Sequence, residues 1–174
     1  EKSAFLNGSS SLIWRQGLKH DAASVMELSY VSEGVFQNKL KEIVNAEEDY
    51  IYPLLKSTDL FHGKIYSKRG VIVTQKKIGQ DTYSLQQTAP RLWQYLRTHS
   101  DKFNKRKSSI YRNKPPFSIF GIGDYSFYIY KLAISGLHKQ PRFRVVYPIN
   151  NRPVMLDDTC YFVGCNSIEE AILL

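Results

Sequence analysis

From residue 117 to residue 163 the chain offers one strand-like run after another, at 117–122, 125–135, 143–147, 154–156 and 159–163, with turn residues between them. This succession constrains the fold more than any other feature. Consecutive strands joined by short turns pair antiparallel, because a parallel pair needs a crossover of about a dozen residues or more. The clearest helical signal lies just upstream. Thr88 stands where a cap would, Pro90 suits a first turn, and the pattern runs to about Arg106. Leu92, Leu96, His99 and Phe103 recur there at helical spacing as an inner face, which makes His99 a core histidine. Blocks of helix and strand without βαβ alternation predict an α+β fold, a mostly antiparallel, curved sheet with a few flanking helices.

The rest of the chain is read more coarsely. Residues 12–14 suggest a short strand, 17–21 a turn, and 22–28 either a short helix or a strand entry. Residues 29–44 read as two strands around Glu33-Gly34 and Asn38-Lys39, and 50–55 as an apolar segment stopping at Lys56-Ser57-Thr58-Asp59. Residues 70–74 form a β-branched strand between Lys68-Arg69 and Lys76-Lys77. Ser167 reads as the N-cap of a last helix with Glu169 and Glu170 in its first turn. The length fits one domain, residues 1–174. The chain opens without Met and stops within that last helix, so it reads as a fragment of a longer protein. With no apolar run near the ~20 residues of a membrane span and no signal-peptide pattern, it predicts a cytoplasmic location without membrane contact.

Cys160 and Cys165 lie in the strand-like run TCYFVGC and read as reduced, buried thiols. A zinc site would need two more ligands, and His20, His62, His99 and His138 stand singly, so no metal is expected.

Charge is unevenly spread. Residues 1–60 carry net −3, residues 61–150 net +14 and residues 151–174 net −3. A basic middle between acidic ends predicts a polyanionic partner. Two clusters stand out. Between Arg91 and Lys114 there are eight Lys/Arg and one acid, Asp101. Lys105, Arg106, Lys107 and Arg112 there are either phosphate contacts or a solvated helix end. In the second cluster, 138–144, alternation puts Arg142 and Arg144 on one strand face beside Lys139, placed for guanine edges or phosphates, or simply exposed. Lys131, inside an apolar run, either snorkels at a sheet edge or is placed for contact.

The stretch NKPPFSIFGIGDYSF (113–127) joins a Pro-Pro-aromatic sequence to a Gly-x-Gly turn, two pieces that occur in amino-group DNA methyltransferase sites. It does not read as one. An acceptor for the amino hydrogens belongs immediately before the first proline, and here that residue is Lys114, a cation. The two pieces are also separated only by Ser118-Ile119-Phe120, whereas in a doubly wound sheet they sit on different strands with helices between. Pro-Pro as an extended entry, with Gly121 and Gly123 as a bend between strands, is the better reading. Nor does the chain contain the Asp/Glu-x-Lys tripeptide common in metal-dependent nucleases.

Several pieces in order resemble a known family. They are Trp14-Arg15-Gln16-Gly17-Leu18-Lys19-His20-Asp21, Tyr52-Pro53-Leu54-Leu55-Lys56 with Asp59, and Trp93-Gln94-Tyr95-Leu96 leading to Phe103 and Arg106-Lys107-Ser108. Then come 117–131 with Ser135-Gly136-Leu137, Asp157-Asp158-Thr159, and Asn166-Ser167-Ile168-Glu169-Glu170-Ala171. Together they are similar to the TaqI-like C-terminal specificity domain, the target-recognition domain of adenine-specific DNA methyltransferases and restriction–modification enzymes of bacteria and archaea. The resemblance implies double-stranded DNA as partner and a catalytic methyltransferase domain in the same chain. It implies S-adenosylmethionine as that domain's cofactor, and no cofactor and no catalysis in this fragment. Lys131, Arg142 and Arg144 are then the candidates for base or backbone contact, and Lys105, Arg106, Lys107 and Arg112 for phosphates. Two rivals stand beside this reading: a small methyltransferase or nuclease, and a module docking a methyltransferase onto a nuclease or specificity subunit.

Overall fold

The computed structural model describes residues 12–64 and 66–174. The fold is α+β, built on two sheets. β1 (Arg15–Gln16) is followed by the single helical turn α1 (Ala23–Met26), which leads straight into β2 (Glu27–Ser32). The chain reverses at Glu33-Gly34, with Gly34 at φ 67°, a conformation glycine adopts without steric cost, and returns as β3 (Val35–Asn38). It reverses again at Asn38, whose Oδ1 accepts from the Leu40 and Glu42 amides at 2.9 and 3.0 Å, and gives β4 (Ile43–Val44). The expected pair of strands is therefore three. β5 (Ile51–Leu55), α2 (Ser57–His62) and β6 (Arg69–Ile72) follow.

The helix expected over 88–106 is three helices: α3 (Leu85–Thr88), α4 (Pro90–Thr98) and α5 (Ser100–Asn104). Pro90 disfavours a helical Ala89, which sits at φ −150°, so α3 stops there. Thr88 does not cap α4; its hydroxyl donates to the Ser84 carbonyl at 3.1 Å. The cap comes from far away, where the Glu47 carboxylate accepts from the Arg91 and Leu92 amides at 3.0 and 2.8 Å. Leu92, Leu96, His99 and Phe103 do form the buried face. His99 Nε2 lies 3.1 Å from Glu42 Oε2.

The run 117–122 is largely buried but is not a strand; among the described residues its ladder pairing is the single bridge between Lys19 and Phe120. Side chains satisfy its backbone instead. The Thr74 hydroxyl donates to the Phe117 carbonyl at 2.9 Å, Arg106 donates to the Ser118 carbonyl at 2.6 Å, and the Gln75 Oε1 accepts from the Ile119 amide at 3.3 Å. One 3₁₀ turn (Asp124–Phe127) then precedes β7 (Tyr130–Ser135). β8 (Arg144–Val146), β9 (Met155–Leu156), β10 (Cys160–Cys165) and α6 (Ile168–Leu173) complete the chain. Ser167 caps α6, its Oγ accepting from the Glu170 amide at 3.2 Å.

One sheet runs β4-β3-β2-β6-β5-β9 and the other β1-β10-β7-β8. The strand pairs are antiparallel except β5–β9. The larger core lies between the six-stranded sheet and α4, around Leu54, Ile72, Leu92 and Ile119. A second, around Leu60, Ala133 and Phe162, joins α2 to the four-stranded sheet. Cys160 and Cys165 are buried and unpaired on β10.

Candidate nucleic-acid interface

The residues picked out by charge separate into three environments. Beyond α5 the chain leaves the helix and passes through a short 3₁₀ turn (Ser109–Tyr111). Lys105 projects there with its side chain 76% exposed, 3.8 Å from Asp101. Lys107, Arg112 and Lys114 are exposed, and none has an ion-pair partner among the described residues. Asn113, between the last two, holds φ 57° and turns the chain there. Unpaired cations crowded into one loop repel each other and gain by meeting an anion.

Arg106 does not belong with them. Its guanidinium donates to the carbonyls of Phe103, His20 and Ser118 at 3.1, 3.3 and 2.6 Å and stacks on Tyr111 at 3.7 Å. It ties α5 to the 117–122 run and to the chain after β1, and so fixes the base of the loop that its neighbours occupy.

The second environment is the C-terminus of α2. Arg144 Nε donates to the Leu60 carbonyl at 3.0 Å, and Arg142 Nη1 to the Phe61 carbonyl at 3.3 Å. β8 begins only at Arg144, so Arg142 lies before the strand, yet both arginines reach the last carbonyls of the same helix. Arg142 lies over the Phe61 ring at 4.3 Å, and the His138 ring stacks on Phe61 at 3.9 Å and 8°. Lys139 is exposed beside them. No sequence proximity links residues 57–64 to 138–144, so the gathering of His62 and Lys64 at the same place was not legible. The missed α2 carried signals, Asp59 accepting from the Lys56 amide at 2.8 Å and Gly63 closing at φ 67°, but it is too short to show a helical period.

Lys131 is a correction. It neither snorkels nor faces solvent; it is 1% exposed, with Nζ donating to the Tyr128 carbonyl at 2.6 Å. The strand it lies on is covered on both faces, by α2 on one and α6 on the other, so the ammonium has no route outward. Burial pushes its pKa down from 10.5 to about 7.

Three of the pieces that carried the family resemblance, 14–21, 52–59 and 157–159, meet away from these surfaces, in a charged junction between the sheets. Glu27 is buried, with Lys39 and Lys56 Nζ each at 2.7 Å and His20 Nε2 at 3.5 Å. Burial alone would raise its pKa, but the hydrogen bonds from His20, Lys39 and Lys56 outweigh that and hold the carboxyl well below the usual range. Lys56 is also 3.8 Å from Asp157, and Lys19 pairs with Asp21 and Asp158 at 2.9 Å. Asp59 is paired with Arg69. These residues hold the two sheets in one arrangement. Among the described residues no group of His, Cys, Asp and Glu suits a metal ion.

The aromatic residue of the Pro-Pro-Phe stretch is core. Phe117 is 4% exposed and packs edge-on against Trp93 at 5.3 Å and Phe103 at 4.9 Å, so it has no free face for a base. The Gly121 turn is filled by protein: a Cβ there would stand 2.1 Å from the Gly17 carbonyl oxygen. A nucleotide cofactor such as S-adenosylmethionine does not fit at that turn.

No family model matches the chain. The chain is homologous to a Type II methyltransferase. It is 47% identical over 163 residues to M.NspV of Nostoc sp., covering 93% of this chain and 34% of that protein. The chain thus spans about a third of the relative's length. Among solved structures it is similar in fold to part of MmeI, a Type IIL restriction-modification enzyme determined in complex with DNA. That match has a TM-score of 0.55 at 15% identity and covers 91% of this chain and 20% of that one.

Proposed function

We propose that residues 1–174 form one DNA target-recognition domain, of the TaqI-like specificity type, within a longer adenine-specific methyltransferase or restriction–modification enzyme. The observation that carries this is the exposed loop of cations without ion-pair partners among the described residues, Lys107, Arg112 and Lys114, with Lys105 at its start. The homology to a methyltransferase and the fold shared with a DNA-bound restriction–modification enzyme support it. In this reading the loop holds phosphates, and Lys139, Arg142 and Arg144 form a second anion-facing cluster. The methyl donor S-adenosylmethionine and the methyl-transfer chemistry belong to a catalytic domain of the same longer chain, in the cytoplasm of a bacterium or archaeon. The test is binding of a duplex as a function of salt. Replacing Lys107, Arg112 and Lys114 together by Ala should lower the slope of log affinity against log salt by about 3, near 0.9 for each phosphate left without its cation. An unchanged slope would remove the loop from the interface.

A second reading, a docking module, is favoured by one observation. Trp14 and Phe143, in contact at 5.9 Å, are exposed with Tyr161 on the four-stranded sheet. Gel filtration of this chain with the remainder of its parent protein would detect such docking without DNA.

A further inference from the structure

We propose that the tip of the β2–β3 ribbon, with Glu33 and Val31 foremost, is the element that reads base edges. The inference rests on the DNA-recognition reading above and adds to it the specificity-determining residues.

Three observations carry it. The first is shape. β2 pairs with β6 only over Glu27, Leu28 and Ser29, and a last hydrogen bond runs from the Tyr30 amide to the Lys68 carbonyl at 2.8 Å. The β2–β3 pairing continues past that point to Ser32↔Val35. From residue 31 to 35 the element is therefore the end of a two-stranded hairpin that continues past β6, with a bulge at Val31, and a two-stranded ribbon is what the B-DNA major groove, about 12 Å wide, admits.

The second is rigidity. The tip does not stand free. Gly34 turns at φ 67°, and the Glu48 carboxylate packs so closely that a Cβ on Gly34 would lie 2.8 Å from its Oε1. The Tyr30 ring meets Phe36 edge-on at 5.9 Å. A supported tip holds its side chains at fixed positions, which base readout requires and phosphate attraction does not.

The third is chemistry. Tyr30 is 46% and Val31 55% exposed, beside the exposed carboxylate of Glu33. A groove of about 540 Å³ beneath the ribbon is lined by Glu33, Glu48, Tyr52, Lys68 and Asn150 among others, so it offers acceptors, donors and ring faces together. That mixture includes carboxylates, which the 105–114 loop lacks. A carboxylate is repelled by phosphate, whereas it accepts a hydrogen bond from the N4 amino group of cytosine, and an aliphatic side chain suits the thymine methyl. The cations would thus hold the backbone while the ribbon tip reads the bases.

The experiment takes the 174-residue chain, selects its preferred duplex from a random pool, and measures binding to every single-base variant of that site. It is repeated with Glu33→Gln and with Val31→Ser, both exposed positions, with circular dichroism melting as a check of folding. We expect Glu33→Gln to keep the salt dependence and the affinity for unrelated duplex, and to lose about 10-fold of discrimination at one base pair bearing a major-groove amino group. Val31→Ser should weaken discrimination at a different, thymine-containing pair. If both variants keep the wild-type preference at every position, the ribbon is not the reader, while salt-dependent duplex binding would leave the DNA reading intact. If the wild-type chain binds no duplex at all, both fail together.

Discussion

Replacing Lys131 by Met should stabilise the protein, and should do so less as the pH rises. Lys131 is 1% exposed and its pKa falls from 10.5 to about 7. The folded-state value lies below the unfolded one, so between these two pH values the unfolded chain binds more protons and stability rises with pH. A gap of about 3.5 pH units at about 1.4 kcal/mol each makes the buried ammonium cost about 5 kcal/mol below pH 7. That cost fades toward pH 10.5. Methionine has a similar length and no charge, but it abandons the Tyr128 carbonyl that Nζ now satisfies at 2.6 Å. An unpaired buried carbonyl costs about 1–3 kcal/mol. The variant should therefore gain about 2–4 kcal/mol at pH 6, and its advantage over wild type should shrink by about 3 kcal/mol between pH 6 and pH 9. Urea denaturation of both proteins at the two pH values, followed by circular dichroism, measures this directly. A difference between them that does not change with pH would refute the buried-amine account.

Other outcomes follow from the same geometry. Glu47→Ala removes the carboxylate that caps α4 from a distance and should cost about 1 kcal/mol, read as a fall in Tm; no change would mean water caps the helix equally well. Glu27 is held below the usual carboxylate range by His20, Lys39 and Lys56 against the penalty of burial. A depressed folded-state pKa stabilises above the unfolded value near 4.3 and is lost as pH falls through the folded one, so Glu27→Gln should flatten the acid side of the stability–pH profile. Arg106→Lys cannot reproduce the bonds to three carbonyls or the stack on Tyr111, and should destabilise by about 1–3 kcal/mol while leaving the salt slope of DNA binding unchanged. Gly121→Ala places a Cβ 2.1 Å from a backbone oxygen at φ 63°, so it should abolish soluble native protein.

The antiparallel strands β7, β8 and β10, the buried face of 92–103 and the Ser167 cap were visible as patterns of neighbouring residues, whereas β9 leaves them to pair parallel with β5. Where patterns misled, long-range partners were responsible. The run 117–122 reads as a strand because it is apolar, yet Thr74, Gln75 and Arg106 supply its hydrogen bonds and no ladder is needed. Lys131 within its apolar run suggests a sheet edge or a contact position, yet β7 lies inside the sheet between β10 and β8 and both its faces are covered. The candidate cations divide in the same way. Lys107 and Arg112 are exposed and without an ion-pair partner among the described residues, whereas Arg106, just before Lys107, is drawn inward by three carbonyls. Alternation put Arg142 and Arg144 on one strand face, but the strand starts at Arg144, and packing against α2 brings both to a helix end.

By itself, then, the sequence determined the α+β class, the basic middle and the incompatibility of NKPPFSIFGIGDYSF with a methyl-transfer site, because local periodicity, charge and spacing are properties of neighbouring residues. Only the tertiary structure decided which cations remain on the surface, because burial and pairing depend on elements such as α2, α6 and the Glu27 junction that are remote along the chain.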